Sequence, residues 1–197
     1  RWSTETTARD QMFLELFFDE LTDVDSTVFS FIHLVGSHTD YPNRYPPEYK
    51  FWDEQDRTNA YDNSLRYNDW VLSQLYEAFK ARPDFQVMIY MADHGENPKL
   101  GHRPAHFTWD MARIPLWFAM SDDFVKKHPQ TVAALKENAV KPFTNDMMFD
   151  SLCGVFGLKE WPFYNPKNDI SSFTYDRPVS ELRTMYGDIR IDSDPNL

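Results

Sequence analysis

The 197-residue sequence predicts an α/β fold in three layers, α/β/α, around a largely parallel central sheet. Three observations carry that prediction. Short β-branched and aromatic runs alternate with longer stretches of helical period. The runs are apolar throughout rather than every second residue, as in strands covered on both faces. The acids and imidazoles of greatest chemical interest fall where those runs end, as functional residues do at the carboxyl edge of a parallel sheet.

The elements follow in order. Met12, Phe13, Leu16, Phe17 and Leu21 recur at helical spacing and predict an amphipathic helix over 8–22, closed by the turn "TDVDST". "TVFSFIHLVG" (27–36) reads as a strand buried on both faces that ends at Gly36. The proline- and aromatic-rich stretch that follows has no period and reads as an ordered excursion over the surface. A helix comes next, with Leu65, Leu72, Leu75, Tyr76 and Phe79 on one side and a stop near Pro83. "FQVMIYMA" is the second strand and "RIPLWFAMS" (113–121) the third, with Ser121 placed to cap the acidic turn after it. "FTNDMMFDSLCGVFG" predicts a capped apolar helix ending at Gly157. Residues 158–197 turn polar and are expected to wrap the domain, with "RTMYGDIRI" a short strand pair.

Composition narrows the function. Twenty Lys and Arg against 31 Asp and Glu leave a net charge of −11, a field that repels nucleic acid and anionic membrane surfaces. A phosphorylated ligand therefore needs a local positive charge. The single cysteine, Cys153, excludes a disulfide within the chain and reads as a buried small hydrophobe on a helix face. No stretch reaches the roughly 18 apolar residues of a membrane span, so the chain as given is expected to be soluble. Its abrupt polar start at Arg1 leads to the expectation of a piece of a larger protein.

The chemistry concentrates in "ADHGENPKLGH" (92–102). Asp93 and His94 lie at a strand end, where the chain turns and both side chains can reach one centre, with Gly95 permitting the turn. A carboxylate beside an imidazole suits zinc, with manganese the alternative, and a metal puts positive charge into an acidic protein. The triplet alone reads sooner as an Asp cap with a hydrogen-bonded core histidine. His102 returns to the same strand mouth after a few residues; His106 competes for that role but begins the approach to the third strand. His38, beyond Gly36, is a site candidate, whereas His33 lies within the apolar run and reads as an interior residue. Glu96 can be a base or a supporting partner, although a solvated turn acid is the plainer reading. Arg44 either meets a phosphate or stacks on neighbouring tyrosines, and Asn59 and Asp62 can shape a substrate pocket.

Three blocks, "HLVGSHTDYPNRYP", "NAYDNSLRYND" and "DHGENPKLGH" followed by "RIPLWFAMS", together resemble the catalytic domain of the phosphoethanolamine transferases, members of the alkaline phosphatase and sulfatase superfamily. The resemblance implies an alkaline phosphatase/sulfatase-like fold in which residues 1–197 form one domain, the C-terminal portion of the catalytic domain. The nucleophile-bearing part and the membrane helices are then expected outside this chain, and the chain alone is expected to be inactive. It further implies a zinc ion on Asp93 and His94, completed by a glutamate and a threonine nucleophile. "RWSTETTARD" does not match their surroundings, so neither role falls on Glu5, Thr4, Thr6 or Thr7. His38 and His102 match two histidines that hold the phosphoryl substrate or a second metal.

The implied reaction has two steps. Threonine attacks phosphatidylethanolamine, diacylglycerol leaves, and phosphoethanolamine passes to an acceptor hydroxyl at the periplasmic face of a bacterial inner membrane. The cysteine pairs of the lipid A-modifying branch are missing and the loop between Glu96 and His102 is shorter. That favours a core sugar of lipopolysaccharide, or another envelope glycan, as acceptor. The alternatives are a sulfatase or phosphodiester hydrolase of the same superfamily, and a glycan-binding remnant without turnover.

Overall fold

The computed structural model describes residues 10–12, 14 and 27–197, which divide into two compact units. The helix predicted over 8–22 falls outside the described residues except for 10–12 and 14.

The first unit, 1–85 with 98–101, is built around α1 (Arg57–Lys80). Asp56 starts this helix by accepting hydrogen bonds from the Thr58 and Asn59 amides, at 2.8 and 3.2 Å, which satisfies two of the donors a helix start leaves over. Its buried face runs through Ala60, Ser64, Tyr67, Val71, Leu72 and Leu75, a helical period. Leu65, placed on the apolar side by the sequence, lies off that face and is exposed. Asn63 is fully buried and ties down the preceding loop. Its Oδ1 accepts from the Phe51 and Trp52 amides at 3.0 and 3.1 Å, and its Nδ2 donates to the Trp52 carbonyl and the Tyr45 hydroxyl at 3.0 and 3.2 Å. The proline-rich excursion is therefore ordered, as expected, with Tyr41 and Tyr45 sunk into the core.

The strand expected over 27–36 is not formed. Residues 27–35 carry no strand structure, and Val28, Phe29 and Phe31 are exposed, Phe31 to 81 %. A β-type sequence becomes a strand only through a hydrogen-bonded neighbour, and among the described residues none pairs with this stretch. His33, read as interior, is exposed for the same reason.

The second unit comprises 86–97 and 102–197. Strands β1 (Val87–Met91) and β2 (Leu116–Met120) are where the sequence placed them. They pair antiparallel, Val87 opposite Met120 and Met91 opposite Leu116, rather than through a parallel crossover. The connection accords with this: 92–115 forms 3-10 turns at Pro104–His106 and Trp109–Met111 but no α-helix, and a parallel return usually runs through one. The α/β class itself holds.

Ser121 caps α2 (Asp122–Lys127), its hydroxyl accepting from the Phe124 amide at 3.0 Å. Helix α3 (Pro129–Asn138) begins with proline, whose missing N–H costs nothing there. Phe124 of α2, Val132 of α3 and Val155 of α4 (Met148–Val155) form a core against Val87, Phe118 and Met120. Beyond α4 the chain turns at Gly157, whose φ is +72°. A second cluster joins Met147, Tyr175 and Leu182 near the short antiparallel pair β3 (Arg183–Thr184) and β4 (Ile189–Arg190). Cys153 is buried, as expected, and burial pushes its thiol pKa up.

Candidate metal centre

The site grows from the end of β1. The Ala92 amide still reaches the Pro115 carbonyl at 3.4 Å, and then the chain turns. Gly95 is essential to that turn, but not through a left-handed backbone, since it is not among the residues of positive φ. Its amide donates to the Met111 carbonyl at 2.8 Å, and a Cβ on it would lie 2.0 Å from the Asp110 carbonyl oxygen and 2.6 Å from that of Arg113. Glycine is there for close backbone approach. On the opposite side, Asn145 Nδ2 donates to the Asp93 carbonyl at 2.8 Å, fixing the corner from the turn that leads into α4.

His94, Glu96 and His102 converge, with one potential ligand atom from each lying within 4.8 Å of the others. The rings of His94 and His102 lie 4.4 Å apart, tilted by 33°. The hydrogen bonds fix the role of each ring nitrogen. His94 Nδ1 lies 2.8 Å from the Gly95 carbonyl, an acceptor only, so Nδ1 carries the proton and Nε2 the lone pair. His102 Nδ1 lies 2.6 Å from Glu96 Oε2, and the same logic leaves Nε2 as its ligand nitrogen. Glu96 is no solvated turn acid. Its side chain is only 6 % exposed, and it takes the place of the carboxylate that orients a metal-binding or proton-transferring imidazole.

Asp93 stands differently. Its side chain is 79 % exposed, and Oδ1 accepts the His94 amide at 3.0 Å and lies 3.9 Å from His94 Nε2. Two ligands of one tetrahedral zinc, each about 2.0–2.1 Å from the ion, stand about 3.3 Å apart, so a small rotation of Asp93 brings the pair to that spacing. The donor set, imidazole nitrogens with nearby carboxylate oxygens, is one that zinc accepts. His106 lies exposed in its 3-10 turn, and the His102 ring is the one that meets His94. His38 and Arg44 belong to the first unit. The Arg44 guanidinium spans two backbone carbonyls, Nε to His38 at 3.2 Å and Nη2 to Thr39 at 3.0 Å. Asn59 gives its amide to the cap of α1.

Sequence reasoning undervalued Glu96 and passed over Asn145. The spacing from Glu96 to His102 was a signal for the first; nothing local marked the second.

In this α/β unit His94, Glu96 and His102 are so placed that they could hold a metal ion, beside the Asp-His-Gly corner. The Sulfatase family model matches residues 2–158, and the chain belongs to that family. It is 25 % identical over 163 residues to phosphoethanolamine transferase EptA of Escherichia coli K12, covering 71 % of this chain and 29 % of that protein. It is 28 % identical over 151 residues to the Kdo(2)-lipid A phosphoethanolamine 7''-transferase of Salmonella typhimurium, covering 64 % of this chain and 26 % of that one. The chain thus spans under a third of the length of these curated relatives.

Among solved structures, the zinc complex of the C-terminal periplasmic domain of EptC from E. coli superposes with a TM-score of 0.77 at 22 % identity, over 91 % of this chain and 55 % of that one. The integral membrane lipooligosaccharide phosphoethanolamine transferase A of Neisseria meningitidis gives 0.71 at 22 % identity, over 82 % of this chain and 34 % of that one. The sulfatase-like fold implied by the sequence blocks therefore stands. Among the described residues no helix is long and apolar enough to cross a membrane.

Proposed function

We propose that this chain is part of the catalytic domain of a metal-dependent phosphoethanolamine transferase, acting at the periplasmic face of a bacterial inner membrane. The donor is phosphatidylethanolamine and the acceptor an envelope glycan or lipid of the lipopolysaccharide. The observation that carries this reading is the convergence of His94, Glu96 and His102 at the end of β1, with both imidazoles committed through Nδ1. The named relatives are phosphoethanolamine transferases, which supports the same reading.

Asp93 and His94 hold the metal, which is zinc, with manganese the alternative. When bound, the metal supplies positive charge that offsets charge gathering on phosphoryl oxygens. His38 and His102 bind the phosphoryl group and move protons. With Nδ1–H donated to Glu96, His102 Nε2 takes the proton of an attacking hydroxyl, and the imidazolium so formed, held by the carboxylate, returns that proton to a departing oxygen. Thr4, Glu5, Thr6 and Thr7 lie outside the described residues and take no role.

The test is the full-length protein incubated with phosphatidylethanolamine and purified lipopolysaccharide, followed by mass spectrometry of the acceptor and metal analysis. Addition of one phosphoethanolamine unit, with metal content lost in His94→Ala, supports the reading. Hydrolysis of sulfate esters or phosphodiesters without acceptor modification would establish the hydrolase alternative. Glycan binding without any turnover would establish the remnant.

A further inference from the structure

Arg44 was read from the sequence as a phosphate contact, but the structure gives its guanidinium other work. We propose that Asp10 and Arg44 are positioning residues that clamp the backbone carrying His38 from its two ends; this rests on the role just given to His38. The stretch from Val35 to Arg44 has no strand or α-helix to hold it. It also bends twice through left-handed backbone, at Gly36 with φ +57° and at Asp40 with φ +72°. Such a loop samples many conformations unless side chains fix it.

Asp10 fixes the entry. Its carboxylate, on a residue only 6 % exposed, accepts the Val35 amide on Oδ1 at 3.0 Å and the Gly36 amide on Oδ2 at 2.8 Å. A carboxylate spanning two successive amides makes a pair of charge-assisted bonds and dictates the direction in which the chain leaves Gly36. Asp10 is itself anchored, since the Gln11 amide donates to the Tyr67 hydroxyl at 3.4 Å and that hydroxyl donates to Gln11 Oε1 at 3.1 Å. Tyr67 is buried on α1.

Arg44 fixes the exit. Its fork holds the His38 and Thr39 carbonyls together, and its own amide closes the turn on the Tyr41 carbonyl at 2.9 Å. The buried rings of Tyr41 and Tyr45 seat that turn in the core. A planar guanidinium can bridge two carbonyls in fixed geometry, whereas a lysine ammonium is a point charge on a flexible stem. The two sets of hydrogen bonds fix the backbone on either side of His38, and with it where the ring can reach.

The test uses the full-length protein and two readouts. Hydrogen–deuterium exchange is followed in a peptide spanning 35–44. Transfer kinetics are followed for wild type, Asp10→Asn, Arg44→Ala and Arg44→Lys. The expected result is exchange faster by about tenfold in each variant, as losing one or two hydrogen bonds implies, with the thermal midpoint little changed. In the kinetics, kcat falls by about a hundredfold, KM for the donor is unchanged, and Arg44→Lys gives no rescue. Unchanged exchange, or a KM rise at constant kcat that Arg44→Lys repairs, would overturn the proposal and return Arg44 to phosphate binding. If wild type transfers nothing, the functional reading fails by itself, and the exchange readout still decides whether the two residues hold the loop.

Discussion

Glu96 Oε2 stands 2.6 Å from His102 Nδ1, and this buried acid decides which nitrogen of His102 faces chemistry. Removing the carboxylate frees the ring to rotate and to carry its proton on either nitrogen. Glu96→Ala and Glu96→Gln are expected to lower transfer by about 10- to 100-fold, the usual effect of losing a carboxylate that orients a metal-site histidine. The fold should persist, because Glu96 lies in a turn outside both apolar clusters. Steady-state transfer rates beside far-ultraviolet circular dichroism decide it; full activity in Glu96→Ala would mean that His102 needs no brace.

Gly95→Ala probes the corner itself. Its new Cβ would sit 2.0 Å from one backbone carbonyl oxygen and 2.6 Å from another, and backbone cannot yield as a side-chain tip can. The chain between β1 and β2 must shift, at a cost of about 1–3 kcal/mol. The expected outcome is a lower urea midpoint together with reduced metal content, since His94 is carried by the same turn. A variant as stable and as well loaded with metal as wild type would show that the corner has slack.

A second close contact lies under α4, where a Cβ on Gly154 would meet Asp169 Oδ2 at 2.1 Å and Ser171 Oγ at 2.3 Å. Asp169 is fully buried and cannot swing aside cheaply. It accepts from the Ser171 amide and hydroxyl at 2.8 and 2.6 Å and from the Tyr164 hydroxyl at 2.7 Å. Burial and this carboxylate together push the Tyr164 pKa up. Gly154→Ala is expected to destabilise by about 1–3 kcal/mol or more, read from chemical denaturation, because it both overpacks the site and breaks charge-assisted bonds. A loss within the scatter of surface substitutions would mean that the 164–171 segment re-forms around the methyl group.

Much of this was legible in the sequence, and the reasons differ by element. Strands β1 and β2 announced themselves as unbroken apolar runs, and Ser121 and Gly157 as a cap and a stop, because those signals are local. Helix α3 escaped because its buried positions are few, Val132, Ala134 and Leu135 among them, in a stretch otherwise polar. The 27–36 stretch misled because β propensity describes a surface awaiting a partner and says nothing of whether the partner is there. The direction of the β1–β2 pair depended on what the connection between them forms, which periodicity does not report. In the site, His94 and His102 could be joined by chain length alone. The spacing from Glu96 to His102, 6 residues, hinted at their pairing but not at the burial of Glu96, and the reach of Asn145 to the Asp93 carbonyl spans 52 residues, which no local pattern encodes.

Tyr175 offers a test of the second cluster through pH. Its ring is buried with Met147 and Leu182, and its hydroxyl donates to the Pro142 carbonyl. Burial pushes its pKa from 10.0 to about 12, with the Arg177 cation opposing the rise and Asp146 adding to it. Below pH 10 the phenol is protonated in both folded and unfolded chains, so its contribution is complete there. Between pH 10 and 12 only the unfolded chain ionises it; the unfolded state then binds fewer protons, and stability falls as pH climbs through that window. Tyr175→Phe should be less stable at pH 8 by about 0.5–1.5 kcal/mol for the lost hydrogen bond, with more at stake because the Pro142 carbonyl loses its donor. The gap between the two proteins should then narrow as pH rises, because phenylalanine has nothing to ionise. Urea midpoints measured in parallel from pH 8 to 12 give that difference directly, and the comparison cancels the other tyrosines. A gap that stays constant across the window would mean that the hydroxyl ionises as easily in the folded protein as in the unfolded chain.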